Sequence, residues 1–287
     1  MFFPHGADFG WSVDNWGATL TDTGIGTNIP GNASANVKGA NTQVLTGIAE
    51  DCYGIHLMFS GTGATSVAQR HYVDLIIDPA AGAGGAGSSW SVIISNLFFN
   101  ASRLGTSGAF GTHFYFPLYL KKGTAIGLVH QSSTTTTALR GCVKIFGKPK
   151  RIDAIRCGTT VQTLGTTGST AGTAITPGTS AWGSYTATLG TLTHDSWWWQ
   201  GGIGDGDISR TARGYMFEIA ANATNKIKCG DFNYGVIGTI EESFKTATAS
   251  PFNYKEISSG QDVYMRGVSF SGAPDSSMYC AVYALGG

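Results

Sequence analysis

Apolar residues in this chain alternate with polar ones over short stretches, and nowhere does a long run repeat at helical spacing. In "YGIHLMF", Tyr53, Ile55, Leu57 and Phe59 fall on one face of an extended strand and Gly54, His56 and Met58 on the other, because side chains alternate across a strand. "HYVDLII" and "WSVIISNLFF" follow, separated by turn residues. "FYFPLYL-KKG-TAIGLVH" predicts two strands about a tight turn with Gly at its special position. Pro117 inside the first of these predicts an edge or a bulge. "GCVKIFG" is the last strand of the series. The pattern predicts an all-β protein of antiparallel β-sandwiches, with the jelly roll as the preferred topology.

The series occurs twice. Pro30-Gly31 and Pro177-Gly178 are 147 residues apart. "DCYGIH" from Asp51 matches "DSWWWQ" from Asp195 at an offset of 144, and "RHYVDLI" from Arg70 matches "RGYMFEI" from Arg213 at 143. "WSVI" from Trp90 matches "YGVI" from Tyr234. Lys121-Lys122-Gly123 matches Ser258-Ser259-Gly260 at 137, and Cys142 matches Cys280 at 138. Six weak matches in one order, with slowly drifting offsets, point to an internal duplication. The division is an N-terminal arm over residues 1–23, copy one over 24–147, a linker over 148–170 and copy two over 171–287. The linker carries Lys148, Lys150, Arg151 and Arg156 and then a Gly/Thr stretch, as expected of an extended crossover.

The repeat bears on Trp197, Trp198 and Trp199, three tryptophans in a row. Trp197 and Trp199 align with Tyr53 and Ile55, which assigns them to the sandwich core. Trp198 aligns with Gly54 and is expected on the opposite face, as a contact for another subunit or for the other copy, with a platform for a sugar as the alternative.

Composition narrows the function. The 287 residues carry 42 Gly and 13% charged side chains, with 18 Lys plus Arg against 18 Asp plus Glu. A neutral chain offers no electrostatic footprint for nucleic acid or for an anionic membrane surface. No segment approaches the length of a membrane span, and "MFFPHGADFGW" lacks a signal-peptide pattern. Five cysteines, an odd number without metal spacing, are expected as reduced thiols of a cytoplasmically made protein.

The motifs favour no enzyme and imply no cofactor or metal. "GAGGAG", Gly82 to Gly87, satisfies a dinucleotide string, but a strand rather than a helix follows, so it is expected to be a flexible loop. Asp205 and Asp207 lie two apart in a Gly-rich stretch, the spacing of a plain turn. The six histidines show no ligand spacing. Carboxylates brought together only in space stay open as an acid pair.

Both copies resemble a small β-domain common in structural proteins of tailed bacteriophages. "PGTSAWGS" from Pro177, "RHYVDLI" from Arg70, "VIISNLFF" from Val92 and "FYFPLYLKKGTAI" from Phe114 carry the resemblance. Lys121-Lys122-Gly123 departs from the family's Pro-Ala-Gly turn, and copy two lacks the internal Pro. The resemblance implies a non-enzymatic virion component, made in the bacterial host cytoplasm. The first form is a capsid decoration or cement protein on the outer shell, a homo-oligomer (trimer) whose partner is the major capsid protein. The alternative is a tail-fibre or baseplate component binding host glycans. Phe2, Phe3, Trp11 and Trp16 of the arm, with Trp198, are the expected contacts, packing on a neighbouring subunit or on the chain's own domains.

Overall fold

The computed structural model describes residues 11–16, 26–61, 69–101, 112–133, 138–148, 156–166, 172–205, 213–237, 242–246, 255–270, 272 and 278–287. Its regular elements there are all strands. After β1 (Ser12–Asp14), copy one runs β2 (Thr27–Pro30), β3 (Thr42–Leu45), β4 (Gly54–Gly61), β5 (Gln69–Asp78), β6 (Ser91–Ala101), β7 (Thr112–Phe116), β8 (Ala125–Ser132) and β9 (Ala138–Phe146). One sheet has the order β2-β9-β4-β7, with β1 also paired to β9. The other has the order β3-β8-β5-β6. The chain crosses between the sheets at almost every connection, which is the jelly-roll winding. Pro117 ends β7, at the sheet edge, where a missing N–H costs no ladder bond.

Copy two repeats the winding with β11 (Thr173–Ile175), β12 (Gly178–Thr179), β13 (Gly190–Thr191), β14 (Ser196–Asp205), β15 (Arg213–Ala221), β16 (Ile227–Ile237), β17 (Glu242–Thr246), β18 (Asp262–Ser269) and β19 (Met278–Gly286). β11-β19-β14 corresponds to β2-β9-β4, and β13-β18-β15-β16 to β3-β8-β5-β6. β17 departs from the pattern: it pairs with β16, whereas β7 pairs with β4. A further strand, β10 (Thr160–Leu164), pairs with β19. It lies within the stretch expected as an extended linker.

The duplication extends to individual hydrogen bonds. Asp51 Oδ1 accepts from the Lys122 N–H at 2.7 Å, and Asp195 Oδ1 accepts from the Ser259 N–H at 2.8 Å. The glycines that close those two turns, Gly123 and Gly260, both have positive φ, at 87° and 80°, a conformation that disfavours any side chain. Their N–H groups donate to Ile48 and Leu192, again equivalent positions. A two-residue bridge ties Cys52 to Leu120 in one copy and Ser196 to Ile257 in the other.

Two cores result, and they share one sheet. Side chains on one face of β19, namely Ala281, Tyr283 and Leu285, join the apolar cluster of copy one with Ile55, Leu57, Phe114 and Phe116. Those on the other face, Cys280, Val282 and Ala284, join Phe217, Ile219 and Met265 in copy two. This central sheet is covered on both sides, so "YCAVYALG" is apolar at every position rather than at alternate ones. β14 opposes copy one with glycines. A Cβ at Gly204 would overlap the Phe98 ring, and one at Gly202 would sit 2.6 Å from the Phe98 carbonyl oxygen.

The tryptophan run departs from simple alternation. The register of β14 against β19 shifts between Ser196 and Trp198, leaving Trp197 as the extra residue of a bulge. Trp199 packs in the core of copy two as expected. Trp197 is turned into the shared cluster of copy one, where Trp198 also packs. The expectation that Trp197 and Trp199 share one face is corrected by that single inserted residue.

The "GAGGAG" stretch is also corrected, from a flexible loop to an anchored one. Gly84 N–H donates to the Gly47 carbonyl, and Gly47 N–H donates to Gly85. Asp78 accepts from the N–H groups of Ala80, Ser88 and Ser89, and these bonds hold its carboxyl below the usual range. A Cβ at Gly47 would run into the Gly82 carbonyl. Gly47→Ala is therefore expected to cost roughly 2 kcal/mol or more through forced separation of the two loops, read as a lower denaturation midpoint. An unchanged midpoint would show that the loop is not docked there.

Candidate functional site

Of the expected contact residues, Phe2 and Phe3 lie outside the described residues. Trp11 packs against the copy-one cluster, and its carbonyl accepts from Gly147 at 2.7 Å. Trp16 stands 5.5 Å from the Lys144 ammonium. Between them, Asn15 holds Val143, Gly141 and Thr27 through its side-chain amide. These arm residues dock on the chain's own first sandwich. Trp198 Nε1 donates to the Tyr115 carbonyl at 3.0 Å, and Gln200 Nε2 donates to the same oxygen. Trp198 is thus a contact between the two copies. Asp207 lies outside the described residues, and no cluster of three metal-ligating side chains exists among the described ones.

A polar site unsuspected from the sequence lies on the outer face of the β13-β18-β15-β16 sheet. Glu218, in the middle of β15, has Arg266 of β18 on one side and Asp231 of β16 on the other, both in direct register. Glu218 is buried, with 8% of its side chain exposed. Its Oε1 accepts from Arg266 Nε at 2.9 Å and from the Tyr185 hydroxyl at 2.6 Å, and it forms an ion pair with Arg266 Nη2 at 2.9 Å. A carboxylate taken out of water needs such partners. Lys228 stands between the acids, 2.6 Å from Asp231 and 3.9 Å from Glu218.

Aromatic rings cover this ionic floor. The segment from Gly178 to Leu189 runs along β18 and is held by bonds from the N–H groups of Ser180, Gly183, Thr186 and Leu189 to Ser269, Gly267, Met265 and Val263. That spacing hangs Trp182 and Tyr185 over Arg266, whose guanidinium lies 4.9 and 4.7 Å from their ring centres. Lys226 sits 3.6 Å over the Tyr264 ring. Such cation–π contacts fix the planes of both partners. Burial and the bond to Glu218 push the Tyr185 phenol up to about 12, so it stays a neutral donor. Trp182 remains 37% exposed, a large apolar face open to solvent beside charged groups.

Copy one has the same frame without the aromatic groups. Asp74 occupies the position of Glu218 in the ladder, opposite Val129 where Glu218 has Arg266, so these strands correspond at an offset of 144 and the match of Arg70 to Arg213 at 143 is corrected by one residue. Lys38, eight residues after Pro30 as Tyr185 is after Pro177, reaches Asp74 at 2.7 Å and Asn96 at 2.8 Å. Burial lowers the Lys38 pKa, and Asp74 opposes that shift. Ala35 stands where copy two has Trp182. A lone carboxylate inside each apolar run, "VDLI" and "FEIA", is the signal that marks both sites in the sequence.

Four of the six histidines also pair, which their spacing hid. His71 Nδ1 and His130 Nε2 are 2.8 Å apart in the core of copy one, and His56 and His113 stack at 3.2 Å between ring nitrogens. Burial lowers His130 to about 4. Burial, His113 and Lys144 lower His56 to about 4.

No family model matches the chain, and no curated protein matches it in sequence. Among solved structures, PNGF-II is similar with a TM-score of 0.38 and 9% identity over 91% of this chain and 65% of that one. PNGase F, described as a glycosylasparaginase from Flavobacterium meningosepticum, is similar with a TM-score of 0.29 and 8% identity over 91% of this chain and 96% of that one. The chain thus spans 65% of the length of PNGF-II. The expectation of a non-enzymatic virion protein is corrected by these findings: the solved structures found to be similar to this chain include a glycosylasparaginase and PNGF-II.

Proposed function

We propose that this protein acts on glycans, with the face around Trp182 holding a sugar ring and Asp231 supplying acid–base chemistry for hydrolysis. One juxtaposition carries the reading: an exposed indole stacked on Arg266, with two carboxylates, Glu218 and Asp231, on the next two strands in register. A sugar ring presents an apolar C–H face, which suits Trp182, and a rim of hydroxyls, which suits the charged groups. Paired carboxylates are the groups that glycoside hydrolysis uses. Glu218 is locked by Arg266 and Tyr185, which makes it a positioning residue. Asp231 is the more exposed of the two, at 24%, and is the acid that reaches solvent. The Lys228 ammonium offsets the repulsion between them.

A panel of immobilised glycans, with release of reducing sugar as the second readout, tests this. Trp182→Ala is expected to weaken binding about tenfold. Asp231→Asn is expected to keep binding and lose roughly a hundredfold or more in hydrolysis. Binding by the native protein without any release would remove Asp231 from the chemistry. Failure to bind any glycan would end the reading altogether.

A further inference from the structure

We infer that the sugar taken by this face is acidic, and that its carboxylate seats on Arg266. The inference rests on the sugar-holding role proposed above. Arg266 donates its Nε–H to Glu218 Oε1 and keeps Nη2 in an ion pair 2.9 Å from the same oxygen. Nη1 has no acceptor among the described residues, and with the second N–H of Nη2 it forms an outward edge of two parallel donors. The side chain is 28% exposed, so that edge is reachable. The rings of Trp182 and Tyr185 fix the guanidinium plane, leaving no reorientation to be made on binding. A planar pair of N–H donors at fixed spacing matches the two oxygens of a carboxylate, whereas a hydroxyl uses only one of them.

Glu218 and Asp231 each already have their own cation, and Asp262, the third acid on this face, accepts from the Thr191 hydroxyl. Copy one serves as the internal contrast. With Val129 in the place of Arg266 and Ala35 in the place of Trp182, it has neither the fork nor the platform. The expected stoichiometry is one acidic sugar per chain, although the fold is doubled.

The test is a titration of the full chain with sialyllactose and with lactose, which share a neutral core and differ by the acidic sugar. Tryptophan fluorescence and calorimetry are the readouts. Sialyllactose is expected to bind about tenfold more tightly, as a charge-assisted pair of hydrogen bonds allows. The preference should shrink in about 0.5 M salt, and the stoichiometry should be one. Arg266→Lys keeps a cation on buried Glu218, and so the fold, but removes the planar fork. It should lose most of the preference for sialyllactose over lactose. Equal binding of the two sugars, or a preference that survives in Arg266→Lys, would overturn the acidic-sugar inference and leave the sugar-holding role standing. Binding of neither at millimolar concentration would also overturn it, and the glycan panel separately decides the underlying role.

Discussion

Replacing Tyr283 with alanine is expected to destabilise the protein by about 3–5 kcal/mol, the range for deleting a large buried aromatic side chain. Tyr283 is fully buried on the face of β19 that meets copy one. Its ring packs edge-on against Phe114 and Phe116 at 5.6 and 6.3 Å. Its hydroxyl donates to the Asn96 carbonyl at 2.9 Å and accepts from the Phe98 N–H at 2.6 Å. The substitution opens a cavity at the junction and strands two backbone groups of β6 away from water. Tyr283→Phe isolates the second term and is expected to cost about 1–3 kcal/mol. Urea denaturation followed by tryptophan fluorescence measures both. A loss below about 1 kcal/mol for the alanine variant would mean that the two sandwiches do not depend on this contact.

The second large effect is a loss of stability in mild acid. His56 and His130 are held neutral in the fold, each with its pKa lowered to about 4, mainly by burial. In the unfolded chain each returns to about 6.5. The unfolded state therefore binds protons that the native state refuses, and stability falls as pH drops from about 6.5 to about 4. Above that window both states are neutral at these sites and no dependence arises from them. Below it both are protonated and the loss levels off. Each histidine contributes about 3 kcal/mol of loss over the window. The partner rings do not relieve the cost. Only one proton fits between His71 and His130, and Lys38 and Lys144 place further positive charge near the two pairs. The check is the denaturant midpoint between pH 8 and pH 4. It should drop steeply in that window for the native chain and about half as steeply for His130→Gln. A flat profile would show that the rings are hydrated.

How much of this was visible in the residues varies with the distance over which each interaction acts. The hairpin turn at Gly123 and its repeat at Gly260 are local, and their positive φ follows from the residue type. Asp51 and Asp195 were matched as letters and turn out to make the same bond. Strict alternation puts Trp197 on the wrong face, because a bulge changes alternation without changing composition. The site was invisible as a motif. Glu218 meets Tyr185 across 33 residues and Arg266 across 48, and no spacing rule connects them.

Taken by itself, the order of residues determined that the chain is all-β, and it pointed to two runs of strands in the same order. Alternation and repetition are properties of neighbouring letters, and burial follows from them whatever the partner strand. Only the tertiary structure decided which outward-facing side chains meet. That depends on strand order and register, and here it placed Glu218 between Arg266 and Asp231 and left Asp74 opposite Val129. It also decided that the outer face of one copy-two sheet would be covered by copy one, which turned Trp198 and Tyr283 from surface residues into internal contacts.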